Sequence, residues 1–271
     1  MFVGWIRKSS FESDLLEFEK TQVIDKKLIL NTAFYNQSLC FGAYEDKKLL
    51  GFISAYMFEE SVYINNFYYQ KELSKEVKKR LIKILLTNIS EENKSIYILS
   101  LEDEKEVFES FGFKSYAKFS KATYSGKSGA FNFTNATAKS ISNENFKPTL
   151  KRVDEKTYKE DRFDYVTKSM FKSSSLLLST QRGYQHSYAL NKNIIKLSPW
   201  IMDPSWSDDA EKLLRGVIYH RGLKKIIAFI PSEVKEITDL YLTYNFELTE
   251  GYNLMYKNEK PEINIQMIYG L

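Results

Sequence analysis

Two α/β domains in tandem, built on one plan, are what this sequence predicts. Three observations carry the prediction. An ordered set of patterns occurs twice: three strands in succession, a helix, a strand, a shorter helix and a closing strand. Gly51 lies 62 residues before Phe113, and Gly183 lies 63 residues before Phe246, so the two sets share their spacing. A chain of 271 residues, 43% hydrophobic, is long enough to bury two cores of ordinary size.

The first set opens at Cys40. Apolar or alternating runs at 40–45, 49–57 and 61–69, parted by polar turns, read as a three-strand meander. An amphipathic helix follows, with Leu73, Val77, Leu81, Ile84 and Leu85 on one face and lysines over much of the other. Then come a strand at 95–101, a helix at 103–110, Gly112-Phe113 and a strand at 114–124.

The second set repeats this order. Its strands are expected at 175–180, 183–190 and 194–202. A helix is expected at 205–220, a strand at 225–230, a helix at 232–244 and a strand at 251–257. Segments 1–35 and 149–172 supply the opening of each copy, with Trp5-Ile6-Arg7 and Leu150-Lys151-Arg152 as first strands. The Ser/Asn/Gly-rich stretch 125–148 marks the break. The expected division is 1–125, a linker at 126–148, and 149–271.

Composition narrows the function. Lys and Arg number 39 against 35 Asp and Glu, and the signs are interspersed, so the net charge of +4 is not the footprint of a nucleic-acid binder. No run approaches the ~20 apolar residues of a membrane helix, and residues 1–10 lack a signal-peptide core. A cytoplasmic protein with no membrane partner is expected. The one cysteine, Cys40, sits in an apolar run and reads as a buried small side chain. No His/Cys/carboxylate cluster suggests a metal.

The order of elements resembles that of the GNAT N-acetyltransferases. The residues that carry the resemblance are LLGFISAYM (49–57) and FESFGFKSYAKF (108–119) in the first half. In the second half they are KLSPWIMDPSWSDDAEKLL (196–214) and IAFIPSEVKEITDLYLTYNFEL (227–248). The resemblance covers nearly the whole chain. It implies two GNAT-like domains, each a mixed, mostly antiparallel sheet flanked by helices. It also implies a gap between two diverging strands that takes the pantetheine arm of acetyl-CoA, a helix N-terminus for the pyrophosphate, and a tyrosine that protonates the departing thiolate.

The family's glycine-containing phosphate loop is absent from both halves. In the first half the matching segment carries Lys75, Lys78 and Lys79, which suit either phosphate or a solvated helix face. In the second half it is Ser205, Trp206, Ser207, Asp208, Asp209 and Ala210. There Ser205 can cap the helix, and the aspartates stabilise its start while repelling a diphosphate. The tyrosine position, five residues before the Phe, is Phe108 in the first half and Tyr241 in the second.

The resemblance therefore implies an acetyl-CoA-dependent N-acetyltransferase acting through the second domain. Tyr241 would be the acid, Trp200, Ile201 and Met202 would carry the pantetheine, and 205–210 would seat the pyrophosphate. A small-molecule or peptide amine would be the acceptor. Asp203 lies near the place of a base, and Glu59, Glu60, His186 and His220 read as structural. A non-catalytic binding or regulatory protein on the same fold is the alternative. Cofactor seated in the first domain is a third.

Overall fold

The computed structural model describes residues 1–89, 94–126, 147–204 and 207–271. The chain divides into two compact units, and neither is a continuous stretch. Unit one holds Met1–Tyr116, Lys168–Met170 and Asn253–Pro261; unit two holds Ala117–Thr167, Phe171–Tyr252 and Glu262–Leu271.

Unit one begins with strand β1 (Phe2–Trp5), helices α1 (Lys8–Thr21) and α2 (Lys26–Tyr35), and the meander β2 (Cys40–Glu45), β3 (Lys48–Met57) and β4 (Ser61–Tyr69). Helix α3 (Lys75–Asn88), strand β5 (Ser95–Leu101) and helix α4 (Lys105–Glu109) follow. The meander is antiparallel, and β4 and β5 run parallel, as a crossover through α3 requires. Ser74 caps α3, its hydroxyl accepting from Val77 N at 3.4 Å. Val77, Leu81, Ile82 and Leu85 face the core and pack with Ile53, Ile64, Ile96 and Phe108. A second core lies on the other side of the meander, where Phe11, Leu15 and Phe18 of α1 meet Tyr44 and Phe52.

Strand β6 (Lys114–Tyr124) leaves unit one after Tyr116. The rest of it pairs antiparallel with β10 (Lys225–Pro231), from Phe119↔Pro231 to Tyr124↔Ile226. Unit two also contains α5 (Lys147–Tyr158), β7 (Leu176–Ser179), β8 (Gly183–Ala189), β9 (Ile194–Met202), α6 (Ser207–Arg221) and α7 (Lys235–Thr243). Strand β11 (Glu247–Lys257) begins in unit two, but its residues from Asn253 onward count with unit one. There Met255 sits in the core with Ile96, Ile98 and Phe108, and accepts from Ser100 Oγ at 3.3 Å. The expected cut at 125 assigned all of β6 to the first half. Its residues Ala122 and Tyr124 are instead buried with Ile226 and Phe246. The last strand, β12 (Ile268–Gly270), pairs with β9.

Two local expectations meet different outcomes. Leu150-Lys151-Arg152 is not a strand but part of α5, because Leu150, Val153 and Thr157 recur at helical spacing and are all buried. The endings of α4 and α7 repeat in detail. Gly112 (φ 84°) and Asn245 (φ 59°) take the left-handed conformation that closes a helix. Phe113 N donates to Phe108 O at 3.2 Å, and Phe246 N donates to Tyr241 O at 3.1 Å.

If Met255 belongs to unit one's core, Met255→Ala should cost about 2–5 kcal/mol. Hydrogen exchange should then quicken at the amides of 96–98 while those of 184–188 keep their protection. The reverse pattern would place Met255 in the wrong core.

Candidate functional site

In each unit a parallel pair of strands starts together and stops pairing early. In unit one the β4–β5 register runs from Ser61↔Ser95 to Ile64↔Ile98 and ends there. On the other edge of β4 the register with β3 slips at the same point: Ser54 faces Asn66, and the next partner of β3, Ala55, faces Ile64. Asn65 is the extra residue, a bulge that bends β4 away from β5. Beyond it, residues 66–69 of β4 have no register with β5 and, among the described residues, no other strand beside them on that edge.

The bulge turns both Asn65 and Asn66 toward Ser54. Ser54 Oγ donates to Asn65 Oδ1 at 3.1 Å, and Asn66 Nδ2 donates to Ser54 Oγ at 2.9 Å. Asn65 Nδ2 reaches Thr32 Oγ1 of α2 at 2.8 Å. The signal was readable, since Asn65-Asn66 interrupts the aromatic run of β4, yet no functional expectation was attached to it.

At the far end of β4 stands a charged cluster. The Tyr69 hydroxyl lies near the carboxyl of buried Glu104, and Lys78 Nζ lies 3.5 Å over the Tyr69 ring. Burial raises Glu104, with Tyr69 and Lys78 pulling the other way. Burial also lowers Lys78, and Glu104 opposes that shift. Lys75 and Lys79 are on the outer surface of α3, in exposed pairs with Glu106 and Glu76. Leu73, just before α3, is buried and turns inward: a Cβ on Gly51 would meet its Cδ2 at 2.7 Å.

Unit two has the same gap, and the chain itself fills it. The β9–β10 register ends at Lys196↔Ile227, and β9 carries an extra residue near Ser198-Pro199 relative to β8. Strand β12 then pairs with β9, Ile268 with Ile201 and Gly270 with Trp200, while Leu271 N donates to Phe229 O of β10 at 2.9 Å. Trp200, Ile201 and Met202 are fully buried, and the backbone expected to carry pantetheine already holds a strand. Tyr241 is fully buried as well and donates to Tyr269 O at 2.6 Å. Burial pushes its hydroxyl well above the ordinary tyrosine value. These positions are therefore occupied by the protein's own packing, which argues against the assigned roles.

The remaining expected residues separate as follows. Ser205 and Trp206 lie outside the described residues. Ser207, Asp208, Asp209 and Ala210 open α6, where Ala210 is buried under the helix and Asp209 pairs with Lys212 at 3.0 Å. Asp203 is no free base. Its carboxylate takes Lys156 at 2.6 Å and Arg152 at 3.0 Å. Burial would raise it, but these two partners outweigh burial and hold it low. His186 is buried between Ser198 O and Ser175 Oγ, at 2.6 and 2.7 Å. His220 lies in the last turn of α6. Glu59 and Glu60 occupy the exposed tip between β3 and β4. Phe108 is buried against Phe67 and Phe113. The buried Cys40 thiol is pushed up to about 12. Among the described residues no group of His, Cys, Asp or Glu could hold a metal, and no helix is long and apolar enough to cross a membrane.

Solved structures match this architecture along its whole length. A candidate acetyltransferase from Pyrococcus horikoshii superposes with a TM-score of 0.79 at 14% identity, covering 100% of this chain and 93% of its own. A tandem GNAT protein from the clavulanic acid biosynthesis pathway gives 0.66 at 6% identity, covering 94% of this chain and 98% of its own. This is a tandem GNAT fold. A GCN5-related N-acetyltransferase from Sphaerobacter thermophilus gives 0.65 at 11% identity, covering 98% of each chain. No sequence-family model and no curated protein matches the chain. The early end of parallel pairing thus occurs twice: β12 covers it along β9, and among the described residues no strand covers it along β4.

Tyr241→Phe should lower stability by about 1–3 kcal/mol, because the Tyr269 carbonyl loses its buried donor. It should leave any acyl transfer unchanged. Lost transfer at unchanged stability would restore Tyr241 as the acid.

Proposed function

We propose that this chain is an acyl-CoA-dependent N-acyltransferase with its chemistry in unit one. Acetyl-CoA is the donor, and the amine of a small molecule or peptide is the acceptor. The observation that carries the reading is the unpaired edge of β4 beyond the Asn65 bulge, set against the same edge of β9 covered by β12. The modest, interspersed charge supports a cytoplasmic protein without nucleic-acid or membrane partners.

The residues of unit one fit the cofactor in three respects. The backbone of 66–69 offers an extended edge to the pantetheine amides, as a strand edge does to a peptide. The N-terminus of α3, with Lys75 and Lys79 close by in sequence, favours a diphosphate. Leu73 leaves that approach clear by packing inward. The cofactor supplies an acyl carbon activated as a thioester, and net transfer exchanges its C–S bond for a C–N bond, the nitrogen's proton balancing the thiol released.

The polar group at the bulge contains Thr32, Ser54, Asn65 and Asn66, and none of these titrates near neutrality. Phe108 offers no proton. The bulge therefore positions an amine without deprotonating it, and the amine reacts as its free base. The same substitutions motivate a second reading, a protein that binds acyl-CoA and transfers nothing.

The two readings part on kinetics. For an N-acyltransferase, log kcat/KM should rise with unit slope and level at the pKa of the acceptor amine alone. Lys75→Glu with Lys79→Glu should weaken acetyl-CoA by about tenfold and leave S-acetylpantetheine, which lacks the nucleotide, unaffected. Binding without turnover over a panel of amines would favour the second reading. A second ionisation in the rate profile would mean that a protein base had been missed.

A further inference from the structure

A single line of hydrogen bonds sets the direction of every amide at the bulge. It starts on the backbone of α2. Thr32 Oγ1 donates to Leu28 O at 2.9 Å. A hydroxyl has one proton, so toward Asn65 this oxygen can only accept. Asn65 must present Nδ2 to it, which turns Oδ1 toward β3. That Oδ1 accepts from Ser54 Oγ at 3.1 Å and from Asn66 Nδ2 at 3.0 Å. Ser54, having given its proton, accepts from Asn66 Nδ2 at 2.9 Å.

Both Asn66 N–H groups are thus spent, and its Oδ1 cannot be exchanged with Nδ2 by a flip. This oxygen accepts no hydrogen bond among the described residues and, although Asn66 is only 3% exposed, it is not sealed from solvent. Water can meet it in the free protein, and a ligand N–H can take that water's place. The oxygen's place agrees: Asn66 directly follows the bulge, where β4 parts from β5.

We propose that Asn66 Oδ1 receives an N–H of the acceptor amine and that the site selects amines arriving uncharged. The inference rests on the acyltransferase reading of unit one. Accepting one N–H fixes where the nitrogen lone pair points. The bond strengthens as the nitrogen gains positive charge during attack, so it favours the transition state over the bound amine. No carboxylate joins the line of hydrogen bonds, so it offers no capture point for a cation such as a polyamine. The acceptor class is a primary amine whose conjugate acid has a pKa of about 8 or less.

The test uses the full chain, acetyl-CoA, and glycinamide, aniline and spermidine as acceptors. Wild type should favour glycinamide or aniline over spermidine by about tenfold or more in kcat/KM. Asn66→Leu should lower kcat/KM for the favoured amine by about tenfold, with the larger part in kcat, while the Kd of acetyl-CoA stays within about twofold. Should Asn66→Leu fail to fold, Ser54→Ala serves instead, since it removes one of the two acceptors that hold the Asn66 amide and should cost less, about threefold. Unchanged amine kinetics in the folded variants, or a preference for spermidine, overturns the inference while leaving the acyltransferase reading intact. No transfer by wild type to any of the three amines overturns both.

Discussion

Backbone amides and carbonyls along a buried strand edge need partners, and in both units the pairing that would supply them stops short. The parallel ladders end after four residue pairs in one unit and three in the other. Both times the bend lies near a bulge in the third strand of the meander. What differs is the solution. Unit two satisfies its edge with residues 268–271 of its own chain, drawing on β9 and β10 together. Among the described residues unit one places no strand on the matching edge. The division of labour we propose for the two copies rests on this difference, more than on any single side chain.

Once β12 is in place, the fate of the neighbouring groups is set. Tyr241, conspicuous in the sequence, becomes the hydroxyl that ties α7 to the Tyr269 carbonyl. Trp200 packs its ring 5.4 Å from that of Tyr269. Asp203, beyond the end of β9, is held by Arg152 and Lys156 of α5. Each is a group that chemistry could have used and packing has absorbed. In unit one the corresponding acid is missing outright, as Phe108. At the bulge the polar groups are neutral amides and hydroxyls ordered from the α2 backbone.

The meander strands, α3, β5 and the paired helix endings were legible in the sequence, because period, caps and left-handed residues are local signals. Gly112 and Asn245 end their helices alike, as neighbouring Phe113 and Phe246 suggested. The destination of the last strands was not legible. Alternation marks β6 and β11 as strands without naming their neighbours, so Ala122 and Met255 were assigned to the wrong cores. Strand β12 is three residues long, too short for any period, and its importance lies only in what it covers. Leu150-Lys151-Arg152 looked extended in a three-residue window; over eight residues the helical spacing of Leu150, Val153 and Thr157 is plain. At the candidate site Asn65-Asn66 was visible as a break in an aromatic strand, but its meaning depends on Thr32 and Ser54, distant in sequence.

Amide hydrogen exchange with and without saturating acetyl-CoA tests the asymmetry of the two gaps most directly. Acetyl-CoA should slow exchange at 66–69, at 99–101 and at the start of α3. Exchange at 200–202, 228–230 and 268–271 should stay as it was. Protection appearing along 200–202, or release of 268–271 on adding acetyl-CoA, would contradict the assignment by placing the cofactor in the gap that β12 fills.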